Sequence, residues 1–228
     1  MPPRRDASGS SVLRRVPPVR DASGLYGRDH RGMNTTVRLA QQPEADELLS
    51  RDPLAALIGM LLDQQVPMEW AFTGPYTIAQ RMGRETLDAG EIAAYAPEEF
   101  AALLSAKPAV HRYPGSMAKR VQQLCRHLVD EYGGDPRTLW RDAATGRELL
   151  NRLNALPGYG KQKSQIFVAL LGKQYGVRPE GWREAAGAYG EEGSYRSVAD
   201  ITGPDSLDRV RAHKREMKQA AKAAAKKP

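Results

Sequence analysis

The segment Leu156-Pro157-Gly158-Tyr159-Gly160-Lys161-Gln162-Lys163-Ser164, set between two helical stretches, constrains this chain more than any other. Two glycines one residue apart permit positive φ and leave no side chains where a backbone must come close to a partner. They also leave successive amide N–H groups free at the start of the next helix, whose dipole favours an anion. Lys161 and Lys163 stand at that same start, where a lysine opposes the dipole, and a phosphate between them removes the conflict. The plain alternative is a glycine turn joining two antiparallel helices. The setting favours phosphate. Residues 107–178 carry a net +8, between −7 for 33–106 and −3 for 179–213, which suggests one cationic face suited to a polyanion.

The overall charge of +7 says less than its location. Residues 1–32 contribute +4 and residues 214–228 contribute +5, leaving 33–213 at −2. Residues 1–32 are rich in Arg, Pro, Ser and Gly and repeat the string RDASG, a composition that cannot bury a core. They are expected to be a disordered extension, with Met33 offering an alternative start. Residues 33–213 are expected to form the folded domain and 214–228 a Lys/Ala-rich tail that frays into solvent.

Helical patterning begins at Pro43. Asp52-Pro53 supplies an N-cap and a proline at the first helical position. Leu54, Leu57, Ile58, Leu61 and Leu62 then form one apolar stripe. A second pattern runs from Met68 to Met82 and is expected to break at Thr73-Gly74-Pro75. The longest helix should start near Ser116, bury Met117, Val121, Leu124, Cys125 and Leu128, and end at Gly133-Gly134. Helices are also expected over 146–155 and from Ile166 to Gly172 or Gly176, with weaker signals at 182–189 and 205–224. No alternating strand pattern of useful length is present, so the expected class is all-α. The single cysteine, Cys125, excludes a disulfide framework and a cysteine-ligated zinc or iron–sulfur site. No apolar run spans a bilayer and no secretory h-region is evident, so a cytoplasmic, nucleoid-associated protein without membrane contact is expected.

Three strings in order resemble the helix–hairpin–helix DNA glycosylase superfamily, which includes endonuclease III and the adenine mismatch and alkylpurine glycosylases. Leu156 to Ser164 is similar to the family hairpin LPGVGRKTA. Leu61-Leu62-Asp63-Gln64-Gln65-Val66 sits where family members carry LLSAQAT or a GQQxS-type string. Tyr113-Pro114-Gly115-Ser116-Met117-Ala118-Lys119 resembles the segment opening the long helix before the hairpin. The resemblance covers roughly 45–185. It implies a two-lobed helical fold that draws a target nucleotide of double-stranded DNA into a pocket between the lobes. It implies DNA contacts from Pro157, Gly158, Tyr159, Gly160, Lys161 and Lys163, with Gln65 filling the vacated stack beside Gln64. Trp70, Tyr113 and Trp182 are the aromatic candidates for stacking on the flipped base, with core packing as the alternative for each.

Two departures from the family pattern matter. Bifunctional members carry an attacking lysine two residues after the second hairpin glycine. Here that place is Gln162, which implies base removal without strand cleavage. An aspartate that stabilises the developing sugar cation follows that glycine by about twenty residues. The count lands on Glu180, with Glu184 the other acid within reach. A monofunctional DNA glycosylase, monomeric and without an iron–sulfur cluster, is therefore expected, and a monovalent cation at the hairpin is the one cofactor entertained. The alternatives are a non-catalytic helix–hairpin–helix DNA-binding protein and a protein-interaction module, the latter leaving the glycines and the +8 segment unexplained.

Overall fold

A computed structural model describes residues 36–224. The reading of 1–32 as disordered lies outside the described residues. The described chain is all-α and strands are absent from it. Its helices are α1 (Pro43–Arg51), α2 (Pro53–Leu62), α3 (Met68–Arg81), α4 (Ala89–Ala94), α5 (Pro97–Ser105), α6 (Pro114–Tyr132), α7 (Thr138–Arg141), α8 (Gly146–Ala155), α9 (Lys161–Gln174), α10 (Trp182–Ala186) and α11 (Pro204–Ala224). One lobe packs α4 and α5 on α6 and α2 on α3, while the other packs α8 and α10 on α9. A single apolar core runs through both.

Asp52 starts α2, its carboxylate accepting from the amides of Leu54 (2.9 Å) and Ala55 (3.3 Å). Its other oxygen accepts from Leu87 N at 2.8 Å, which ties the helix start to the chain entering α4. The sequence predicts one buried stripe on α2, but residues 54–62 are buried on every side. Small side chains make this possible. A Cβ at Gly59 would lie 2.6 Å from the Phe72 ring, so the glycine lets α3 close onto α2. A helix apolar all round belongs in a core.

The break expected at Thr73-Gly74-Pro75 does not occur, and α3 runs through Pro75. Pro75 has no N–H to donate. Hydroxyls on either side bond back to the helix, Thr73 to Glu69 O (2.8 Å) and Thr77 to Thr73 O (3.3 Å). Gly74 is a contact point rather than a break: a Cβ there would meet Leu62 Cδ1 at 2.6 Å and Val110 Cγ1 at 3.1 Å. The long helix α6 starts two residues earlier than expected and ends on Gly133 at φ 61°. The helix expected over 205–224 is α11, which continues through the exposed residues 214–224.

Candidate active site

The last turn of α2, the hairpin and α11 enclose a cleft of about 620 Å³, within the roughly 300–1,000 Å³ typical of ligand sites. Its polar lining includes Asp63, Gln65, Gln162, Lys163, Tyr189 and His213.

A helix ends with four carbonyls lacking intrahelical partners, and at α2 each finds a donor. Gly59 O accepts from Asp63 N at 3.1 Å, and Leu62 O accepts from Gln64 N at 2.7 Å. Lys163 Nζ donates to Met60 O at 2.5 Å and to Leu61 O at 3.2 Å. The Gln64 amide also donates to Leu61 O at 2.7 Å. Lys163 thus opens α9 but places its ammonium at the negative end of α2, where the dipole welcomes it. The sequence assigns this lysine to phosphate, whereas the structure gives its charge to the helix facing it. Burial lowers its pKa to about 8, against the pull of Asp63, with Arg120 adding to the depression.

Gln64 is also fully engaged. Its Oε1 accepts from Arg120 Nη1 at 2.9 Å and its backbone carbonyl lies 2.9 Å from His111 Nε2. The His111 Nδ1 accepts from Tyr113 N at 3.0 Å. That acceptor leaves the proton on Nε2, so a neutral His111 donates to Gln64. Gln65 follows in the left-handed region at φ 59° with its side chain exposed. Gln64 is structural cement, and Gln65 is the residue presented.

In the hairpin, Gly158 has φ 82°, and a Cβ there would lie 2.4 Å from Leu61 Cδ1. Tyr159 turns inward, donating from its hydroxyl to Leu57 O at 2.7 Å and meeting Phe167 edge-on at 5.9 Å. It packs the hairpin onto α2 instead of facing DNA. Gly160 is different: it caps α9 at φ −94° with open space where a Cβ would go. Lys161 is exposed beside it, and no side chain caps the helix start. Pro157 is half-buried. The exposed part of the hairpin is therefore Gly158, Gly160, Lys161 and Gln162, at the start of α9. Gln162, at the family's attacking position, donates to the Tyr189 hydroxyl at 2.9 Å.

The acids counted from the hairpin do not reach this cleft. After α9 the chain returns to the start of α8, where Glu180 pairs with Thr145 in an isolated bridge and its carbonyl accepts from Gly146 N at 2.7 Å. Glu180 and Glu184 are exposed and line a second hollow with Thr145, Arg147 and Asn151. Gln165 lies between the two hollows. Counting along the chain could not foresee this return. The carboxylate that does line the cleft is Asp63, one residue before the glutamines, a position to which the family resemblance assigns no role. Burial raises its pKa, opposed by Lys214 and Lys163 and reinforced by Glu69. Tyr189 and His213 arrive from a 3-10 turn and from α11, and no sequence signal marked them.

The aromatic candidates separate. Trp182 is core: a Cβ at Gly172 would lie 2.3 Å from its ring, and Arg183 stacks on it at 4.6 Å. Trp70 and Tyr113 stay partly exposed, at 39% and 45%, but lie outside the cleft lining. They flank His111, with ring centroids 6.5 Å and 6.1 Å away. Cys125 is buried and burial pushes its thiol pKa up, as suits an inert core residue. Among the described residues no cluster of metal-ligating side chains is present, and no helix is long and apolar enough to cross a membrane.

The family model for HhH-GPD superfamily base excision DNA repair proteins matches residues 58–228, from the middle of α2 to the end of the chain. The chain belongs to that superfamily, and with it to the proteins of base excision repair that act on DNA. No curated protein and no solved structure matches it.

Proposed function

We propose that this protein is a monofunctional DNA glycosylase, which hydrolyses the N-glycosidic bond of a damaged or mismatched base drawn out of duplex DNA into the cleft between α2, the hairpin and α11. One observation carries the reading. Asp63, a carboxylate whose pKa burial raises, lines the same cleft as Gln65, Gln162 and Lys163.

The chemistry follows from that placement. As the bond to the base lengthens, its electron pair leaves with the base and positive charge grows on the sugar. A carboxylate lining the cleft stabilises that charge electrostatically. Water then bonds to the sugar carbon and gives its proton to Asp63, whose raised pKa makes it a stronger base. Gln162 offers an amide, which cannot form the Schiff base that leads to strand cleavage. Lys163 is held by the α2 carbonyls. Gln65 enters the stack, while the open Gly160 and Lys161 face phosphate.

The test is an excision screen on duplexes bearing alkylated, deaminated or oxidised bases, comparing wild type with Asp63→Asn, Glu180→Gln and Glu184→Gln. The expected product is an intact abasic strand that breaks only in hot alkali. Borohydride should trap no adduct. Asp63→Asn should lower excision about 10²–10³-fold with DNA affinity kept, and the two glutamate variants should match wild type. Loss of excision in Glu180→Gln alone would move the chemistry to the second hollow. An adduct that disappears in Lys163→Ala would overturn the monofunctional reading. Wild type that binds duplexes yet releases no base would leave a non-catalytic DNA-binding protein.

A further inference from the structure

Only the first two turns of α11 belong to the core, through Ser206, Leu207 and Val210. From Lys214 to Ala224 every residue is exposed. The one large apolar side chain there is Met217, 56% exposed. Three helical turns without an apolar stripe have nothing to lay into a protein groove or a bilayer. What they carry is charge. Arg211, Arg215, Lys218 and Lys222 fall at i, i+4, i+7 and i+11, which lines them along one face. At 1.5 Å per residue the row spans about 16 Å, close to the rise of five base pairs. Glu216 is the sole acid between Lys214 and Ala224, and at 100° per residue it falls roughly 130° away from the row.

The root of this row is anchored at the cleft. Arg211 pairs with Glu69 of α3 and lies 3.3 Å from Asp208. Lys214 Nζ lies 3.1 Å from the Met68 sulfur and acts on the Asp63 carboxylate. His213, Lys214 and Met217 are part of the cleft lining, so the helix leaves the body at the cleft's edge.

We propose that the exposed half of α11 is a cationic arm that lies along the phosphates of duplex DNA flanking the nucleotide held in the cleft. Charge complementarity and continuity with the cleft select this partner. The proposal rests on the reading of the protein as a duplex-DNA glycosylase. Because the row meets phosphates and no base edges, it adds affinity without sequence preference.

The experiment uses the full chain and the triple variant Arg215→Gln/Lys218→Gln/Lys222→Gln. Glutamine keeps helix propensity, so the fold is preserved. Affinity for undamaged duplex is followed by anisotropy between about 50 and 200 mM salt. Three lost phosphate contacts should lower the slope of log K against log salt by about 2–3. Single-turnover excision at saturating enzyme should stay as in wild type. The charge-preserving variant Arg215→Lys/Lys218→Arg/Lys222→Arg should keep the wild-type slope. If the glutamine variant binds with wild-type slope and affinity, the arm is overturned and the glycosylase reading stands. If wild type itself does not bind duplex, that reading falls and takes the arm with it.

Discussion

The ammonium of Lys163 donates to the carbonyl of Met60 across 2.5 Å, so the helix opening after the hairpin is fastened to the end of the helix that leads into the glutamines. Replacing this lysine strips a donor from two carbonyls in the last turn of α2. Lys163→Met should therefore lower stability by about 1–3 kcal/mol in urea at neutral pH. The pH dependence gives a second check. The pKa is about 8 folded and near 10.5 unfolded, so between those values the unfolded chain holds more protons. Stability of the wild type should rise with pH across that window. Lys163→Met should lack the rise, and equal slopes would place the amine in open solvent.

Asp63 behaves in the opposite sense. Its folded pKa lies above 3.8 because of burial, so on raising the pH the unfolded chain releases its proton first. Stability from this group is present at low pH and is lost as pH climbs through the folded pKa. Asp63→Asn should thus be at least as stable as wild type at neutral pH while excising far less base, the trade expected of a residue kept for function. The acid limb of the wild-type excision profile should sit above the ordinary carboxylate range. A variant both destabilised and fully active would assign Asp63 to the scaffold.

The two hairpin glycines should fail differently. Gly158→Ala combines a left-handed φ with a Cβ placed 2.4 Å from Leu61, and the melting temperature should fall sharply. Gly160→Val enters open space at an ordinary φ. It should fold as wild type yet weaken duplex binding, because bulk now stands where the backbone meets phosphate. Full binding by folded Gly160→Val would remove the hairpin from the interface.

Trp182→Ala should cost about 3–5 kcal/mol, since the ring fills the space over Gly172 between α8, α9 and α10. Excision per folded molecule should not change. A selective loss of excision with unchanged stability would return Trp182 to the base pocket.

These contrasts show what a sequence displays. The hairpin was legible because glycine spacing is a backbone requirement visible in the residues themselves, as were the Asp52 cap and the glycine end of α6. The run through Pro75 was not, because Gly74 is decided by Leu62 and Val110, distant in sequence. Trp182 looked like a stacking platform only while its partner Gly172 was unknown. Asp63 reads as an unremarkable acid at a helix end until Lys163, about a hundred residues later, is seen to line the same cleft. Glu180 was found by counting, and counting cannot register that the chain doubles back to Thr145.

Tyr159 and Lys163 both bond to carbonyls of α2, at Leu57, Met60 and Leu61, and Gln65 follows three residues after the end of that helix. The hairpin and the last turns of α2 are thus one piece, and on the proposed reading that piece carries both the surface for phosphate and the side chain for the base stack. Such a piece works as a ruler. On the proposed reading, a phosphate seated against Gly160 and a step entered by Gln65 would stand a constant distance apart, whatever the surrounding sequence. On that reading, lesion search would be a comparison of each nucleotide with a fixed gauge.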